Sequence, residues 1–174
     1  MAQRNLPEKV KLIAGLIAGN TELFLNIRRP LERALKNTID FDSETINFIY
    51  TDYYRKEMGQ DLKRRFLSFK NNMSLEKIYE TKIKTNELER LFSKSGKRTI
   101  NIDPGYIDLS KLVLFSTKDY THRVHLSKGI YAEVTLYYKD RTFNPWPWTY
   151  PDYKTKKYID IFNNLRQVYS KGIG

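Results

Sequence analysis

An α+β fold in a single domain, residues 1–174, is what this sequence predicts, and three observations carry it. The chain has 174 residues, 40% hydrophobic and 14% aromatic, which is enough to bury a normal core and too apolar for disorder. Short apolar or alternating runs bounded by Gly, Pro, Asn and Asp recur along it, as strands do. Stripes of apolar residues at helical spacing lie between those runs.

The elements follow in order. KVKLIAGLI is a continuous apolar run, read as a buried first strand, closed by Ala18-Gly19-Asn20. Phe24, Ile27, Leu31 and Leu35 form a helical stripe, and Pro30 inside it predicts a kink or two short helices. TINFIYT is the second strand, DYYRKEMGQD a polar loop turning at Gly59, and LKRRFLSF the third strand. Ser74 caps a helix with Leu75, Ile78 and Tyr79 on one face. Continued, that face carries Lys82, Asn86 and Glu89, a polar stripe that could serve a ligand. A capping box of Asn86 with Glu89 accounts for two of the three more simply, so a break is expected near Thr85. RTINID is the fourth strand, stopped by Pro104-Gly105. DLSKLVLFST fits helix or strand, and Asp108 as a cap favours helix. THRVHL and IYAEVTLYY form a hairpin across Ser127-Lys128-Gly129. After NPWPWTYPDY comes a last helix with Tyr158, Phe162, Leu165 and Tyr169 in one stripe. The order through residue 103 is that of a ferredoxin-like β-α-β-β-α-β core, to which a β-hairpin and a C-terminal helix are added.

Composition narrows the function classes. A net charge of +11 favours an anionic partner, a phosphorylated small molecule or nucleic acid. The absence of cysteine excludes disulfides, thiolate nucleophiles and Cys-based zinc sites. No run approaches the roughly 20 apolar residues of a membrane span, and a cytoplasmic protein is expected.

The two histidines lie three apart in THRVHL, and residues three apart in a strand point to opposite faces. His122 and His125 are therefore not expected to share a metal; Arg123 should pair with His125, and His122 with Val124. The polar faces of three strands, if aligned, would build a platform of Asn101, Asp103, Arg123, His125, Glu133 and Thr135. Carboxylates beside Arg and His can do acid/base work or hold a phosphate. A solvated sheet face with cross-strand ion pairs is the plainer expectation. Neither a Walker loop nor G-x-G-x-x-G is present. Phe66 and Phe69 fall on opposite faces, against an RNA-recognition module, while Lys63, Arg64 and Arg65 offer a basic patch for generic RNA or DNA binding.

TDYYRKEMGQDLKRRFLSF, KIKTNELE, RTINIDPGYI, THRVHL, KGIYAEVTL and WTYPDY together resemble domain-of-unknown-function family 4416, across nearly the whole chain. The resemblance implies a small single-domain prokaryotic protein. It carries no activity, cofactor or catalytic residue with it. It draws attention to Asp52, Tyr53, Tyr54, Glu57, Asp103, Tyr106, His122, Arg123, Glu133, Tyr150 and Asp152. The resulting expectation is a cleft for an anionic, phosphate-bearing ligand, bound by Asp52, Tyr53, Tyr54, Glu57, Tyr106 and Arg123. His122, Glu133 and Asp103 are the candidate catalytic groups. Other expectations are nucleic-acid binding through Lys63–Arg65 and a protein partner at Trp146 and Trp148. As an anion clamp, Arg123 would stand partly exposed with its charge free; as a structural residue it would be buried and paired.

Overall fold

The computed structural model describes residues 3–173. The elements are β1 (Lys11–Ala18), α1 (Glu22–Asn26), α2 (Arg28–Leu35), β2 (Ile39–Asp42), β3 (Ile46–Asn47), α3 (Arg55–Met58), β4 (Lys63–Phe69) and α4 (Glu80–Leu91). Then come β5 (Ile100–Ile107), β6 (Lys111–Ser116), β7 (Val124–Ser127), β8 (Ile130–Lys139), β9 (Thr142–Pro145), a 3-10 turn (Pro151–Lys154) and α5 (Lys156–Gly172).

The strands make one antiparallel sheet in the order β2-β4-β1-β5-β6-β8-β7, with β3 on β4 and β9 on β8. β1 lies inside it and is buried throughout, which is why its sequence is continuously apolar rather than alternating. Helices α1, α2 and α4 cover one face, burying Leu12, Leu16, Phe24, Leu31, Ile100 and Ile102. Helix α5 covers the other with Tyr158, Phe162 and Leu165 against Ile13, Phe66, Ile107 and Phe143. The expected stripe of α5 is thus the one that is buried, including Tyr169.

Several expectations change. The second strand is not TINFIYT: β2 and β3 are two short strands on β4, and from Phe48 the chain leaves the sheet. The first helical stretch, by contrast, is as expected two short helices, parted at Ile27, with Pro30 in the first turn of α2 where its missing N–H costs nothing. Helix α4 starts only at Glu80 and runs through Thr85 without a break. β5 does not stop at Pro104-Gly105 but continues to Ile107, because up to Pro104 it is paired on its β1 side alone. DLSKLVLFST is not helical. Asp108 Oδ1 accepts from the Ser110 and Lys111 N–H groups, which makes a turn and sends β6 back along β5.

One feature of the sheet positions the site. β5 follows β1 over its whole length, but only Gly105–Ile107 pairs with β6. Beyond Leu114, β6 stays with β8. The sheet therefore parts between Ile100–Pro104 on one bank and Phe115–Ser116 on the other.

Candidate functional site

The bare edge of β5 in this opening needs hydrogen-bond partners. Helix α4 supplies them. Glu89 accepts from the Ile102 N–H at 2.6 Å, and Lys82 donates to the Ile102 carbonyl at 2.9 Å. The polar stripe of α4 is thus inward and continuous, and the capping-box explanation fails because no helix begins there. Burial pushes the Glu89 carboxyl above its ordinary range, while Lys82 and the Ile102 N–H favour the ion.

The opening is a cleft of about 700 Å³. It is bounded by α4, β5, the Leu114–Lys118 segment, the Phe48–Tyr54 segment and Tyr150–Tyr153. Gly15, Phe66 and Asp103 are cross-strand neighbours, as are Gly105, Leu114 and Glu133, so Asp103, Glu133 and Arg64 all rise from the α5 face.

Arg64 lies in the cleft lining and is only 3% exposed. Its Nη2 donates to Asp152 at 2.9 Å, and Nη1 stands 3.6 Å from Asp103. Phe48, Phe66, Tyr153 and Tyr158 surround the guanidinium, and Gly15 leaves the space that Nη1 fills. Burial opposes its charge, but Tyr153, Tyr158, Asp152 and Asp103 more than offset that and raise its pKa. Burial pushes the Asp152 carboxyl and the Tyr153 phenol up. Arg64 Nη1 and the Tyr153 hydroxyl have no hydrogen-bond partner among the described residues. Asp103 accepts from Asn101 at 2.8 Å through Oδ2, and its Oδ1 is 3.8 Å from Lys82 Nζ.

On the β6 side, Glu133 is buried and its Oε2 receives both Arg123 Nε, at 3.1 Å, and His122 Nε2, at 3.0 Å. Arg123 also donates to Ser116, to the Lys118 carbonyl and to Tyr150, and its guanidinium lies over the Tyr120 ring. Its side chain is 5% exposed. Arg123 is therefore a brace rather than a clamp: its charge belongs to Glu133. The expected alternation also fails. Thr121–Arg123 is a turn and β7 begins at Val124, so His122 and Arg123 both reach Glu133, while His125 accepts from the Gly129 N–H.

The other predicted residues divide. Tyr53 and Tyr54 line the cleft. Lys118 donates to the Tyr53 hydroxyl at 3.0 Å, lowering that phenol's pKa. Glu57 stands behind the lining and holds Arg98, which does line the cleft. Asp52 is exposed and pairs with Arg55 instead. Tyr106 faces the other side of the sheet, packed on Phe115, with its phenol pushed up to about 12 by burial. Asp103 and Glu133 sit on β5 and β8, with β6 and the opening between them. His122 is absent from the lining and stacks on Trp148. The three candidate catalytic groups thus do not form one constellation. Lys63, Arg64 and Arg65 do not form a patch either. Arg64 is buried, Lys63 binds Asn47, and Arg65 binds Asp42 and Thr45. Among the described residues no group of three or more His, Cys, Asp or Glu is placed to hold a metal.

Arg98 makes a forked contact with Glu57, which holds the Glu57 carboxyl below its ordinary range. A depressed carboxylate stabilises the fold above its unfolded pKa of roughly 4.3, and that stabilisation is lost as pH falls through the folded value. Urea melts across acid pH should therefore show a shallower loss of stability for Glu57→Gln than for the natural protein. Equal slopes would show that this pair contributes nothing.

Arg64 was expected in a basic patch and is the floor instead; Arg90, Arg98 and Lys118 carried no expected role, and Lys82 and Glu89 only that of the α4 stripe. The stripe of Lys82, Asn86 and Glu89 was visible; the signal lacking was the bare strand edge that requires it. Among the described residues no helix is long and apolar enough to cross a membrane. No curated protein and no solved structure matches the chain. Residues 8–169 match the family described as Domain of unknown function (DUF4416), and the chain belongs to that family.

Proposed function

We propose that the protein binds a small anionic, phosphate-bearing ligand in the cleft. The carrying observation is the charge pattern of the lining, in which six basic side chains face four acidic ones. Glu89, Asp103, Glu133 and Asp152 each lie near a basic partner: Arg98, Arg64, Arg123 and again Arg64. Arg90 on α4 and Lys118 after β6 line the opening and have no carboxylate partner among the described residues. They leave an excess of positive charge at a concave site, which attracts anions. The volume falls within the roughly 300–1,000 Å³ of small-molecule sites.

The nucleic-acid alternative retains the net charge but not the Lys63–Arg65 patch. A protein-partner reading would rest on the Trp146–Trp148 stack, with Trp148 42% exposed. The order β2-β4-β1-β5, alternating with helices on one face, supports reading this half as a ferredoxin-like unit.

Calorimetric titration with phosphorylated metabolites and their dephosphorylated counterparts tests the proposal. Phosphorylated members should bind, more weakly at high salt, and Arg90→Gln with Lys118→Gln should weaken them together. Equal binding of both sets, or none of the phosphorylated set, would overturn it.

A further inference from the structure

We infer that the ligand is a ribonucleotide, its ribose diol held by Arg64, Asp103 and Lys82 in the cleft. The inference rests on the phosphate reading above but stands on different groups. Asp103 lies between two cations, 3.6 Å from Arg64 Nη1 and 3.8 Å from Lys82 Nζ. Neither is at hydrogen-bond distance. The order of groups is donor, acceptor, donor, and a hydroxyl set beside either gap can reach both of its members.

A pair of neighbouring hydroxyls is the complement of such a triad. Each hydroxyl can donate to the carboxylate and accept from a cation at once. A bare anion is a poor fit at this point, since Asp103 and Asp152 already balance Arg64 and Lys82. Two buried groups in the lining await a partner: Arg64 Nη1 and the Tyr153 hydroxyl have none among the described residues. Both lie against Gly15, where an added Cβ would come within 2.8 Å of Nη1 and 3.3 Å of the phenol oxygen. The absence of a side chain at Gly15 makes room for these two atoms at the floor of the cleft. Buried donors without partners are uncommon in folded proteins, and a polar ligand group satisfies them.

The rest of the lining suits the other two parts of a nucleotide. Tyr50, an exposed ring of the lining, offers a stacking face to a base. Arg90 and Lys118 supply the unpaired charge for a phosphate.

The test compares AMP, GMP, CMP and UMP with their 2′,3′-dideoxy counterparts, alongside ribose 5-phosphate and pyrophosphate, by calorimetry on the full chain. At least one ribonucleotide should bind roughly tenfold or more tightly than its dideoxy form, as loss of hydrogen bonds to charged groups predicts. It should also bind more tightly than ribose 5-phosphate. Asp103→Ala and Asp103→Asn should weaken the ribonucleotide to the level of the dideoxy form and leave the latter unchanged. Equal affinities for the ribo and dideoxy forms in the natural protein overturn the inference, whatever the variants do. If pyrophosphate or ribose 5-phosphate binds as well as every nucleotide, the inference falls and the phosphate reading stands. If nothing phosphorylated binds, both fall.

Discussion

Replacing Arg64 by Met should lower the free energy of unfolding by roughly 3–5 kcal/mol, the cost of leaving one partner of a buried ion pair alone. The carboxylate left behind is Asp152, buried and bonded through Oδ2 to Arg64. Asp103 would lose a counter-charge as well. Methionine is apolar and of similar length, so it fills most of the space between Phe66 and Tyr153, and lost packing contributes less than the charge left unpaired. Arg64→Met combined with Asp152→Leu should recover much of the loss, since removing both charges removes the desolvation penalty. Urea denaturation of the two single variants and the double variant closes the cycle. Strictly additive losses would show that the pair is not the source of the effect.

Gly105→Ala is the second large effect, about 3 kcal/mol, at the upper end for an overpacked site. A Cβ at Gly105 would fall well within 3.0 Å of the Val113 carbonyl and 3.1 Å of Leu114 Cα. Both are backbone atoms of β6, so no side chain can move aside. The strands would have to separate at the last pair before the sheet opens, Gly105 with Leu114. The added methyl should therefore widen the cleft as well as weaken the fold, and hydrogen exchange should rise at Leu112–Leu114. Gly172→Ala in α5, where an added Cβ meets nothing within 4 Å among the described residues, is the control and should be near neutral. A Gly105→Ala protein as stable as the control would mean that β5 and β6 are not in this close approach.

Where one local rule sufficed, the sequence was legible. β1 reads as a buried strand because its apolar run admits nothing else, and α5 reads as a helix because Tyr158, Phe162, Leu165 and Tyr169 repeat at one period. The hairpin at Lys128-Gly129 was legible too, and both residues take positive φ. Elsewhere two rules competed. Asp108 accepts backbone N–H groups equally well in a turn and at a helix start, and only the pairing of β6 with β5 and β8 decides between them. Asn86 and Glu89 match a capping box, yet Glu89 serves a strand 13 residues away. His122 and Arg123 obey strand alternation only if the strand includes them, and it starts one residue later. The cleft was legible as a set of polar residues, of which Tyr53, Tyr54, Asp103, Arg123 and Glu133 come together. Its floor was not legible, because in KRRFLSF nothing local says which arginine turns inward.

The capping of Ile102 by α4 sets a length rule. Lys82 and Glu89 are seven residues apart, two helical turns, and both reach the peptide groups of one residue. Inserting or deleting a single residue between them would rotate one side chain about 100° around the helix axis relative to the other. Either the carbonyl or the N–H of Ile102 would then lose its partner. Seven residues is the interval at which both can point the same way, so the helix segment facing the opening tolerates substitution far better than any change in count. Helices elsewhere in the chain can drift in length at their ends; this stretch is gauged by the strand beside it.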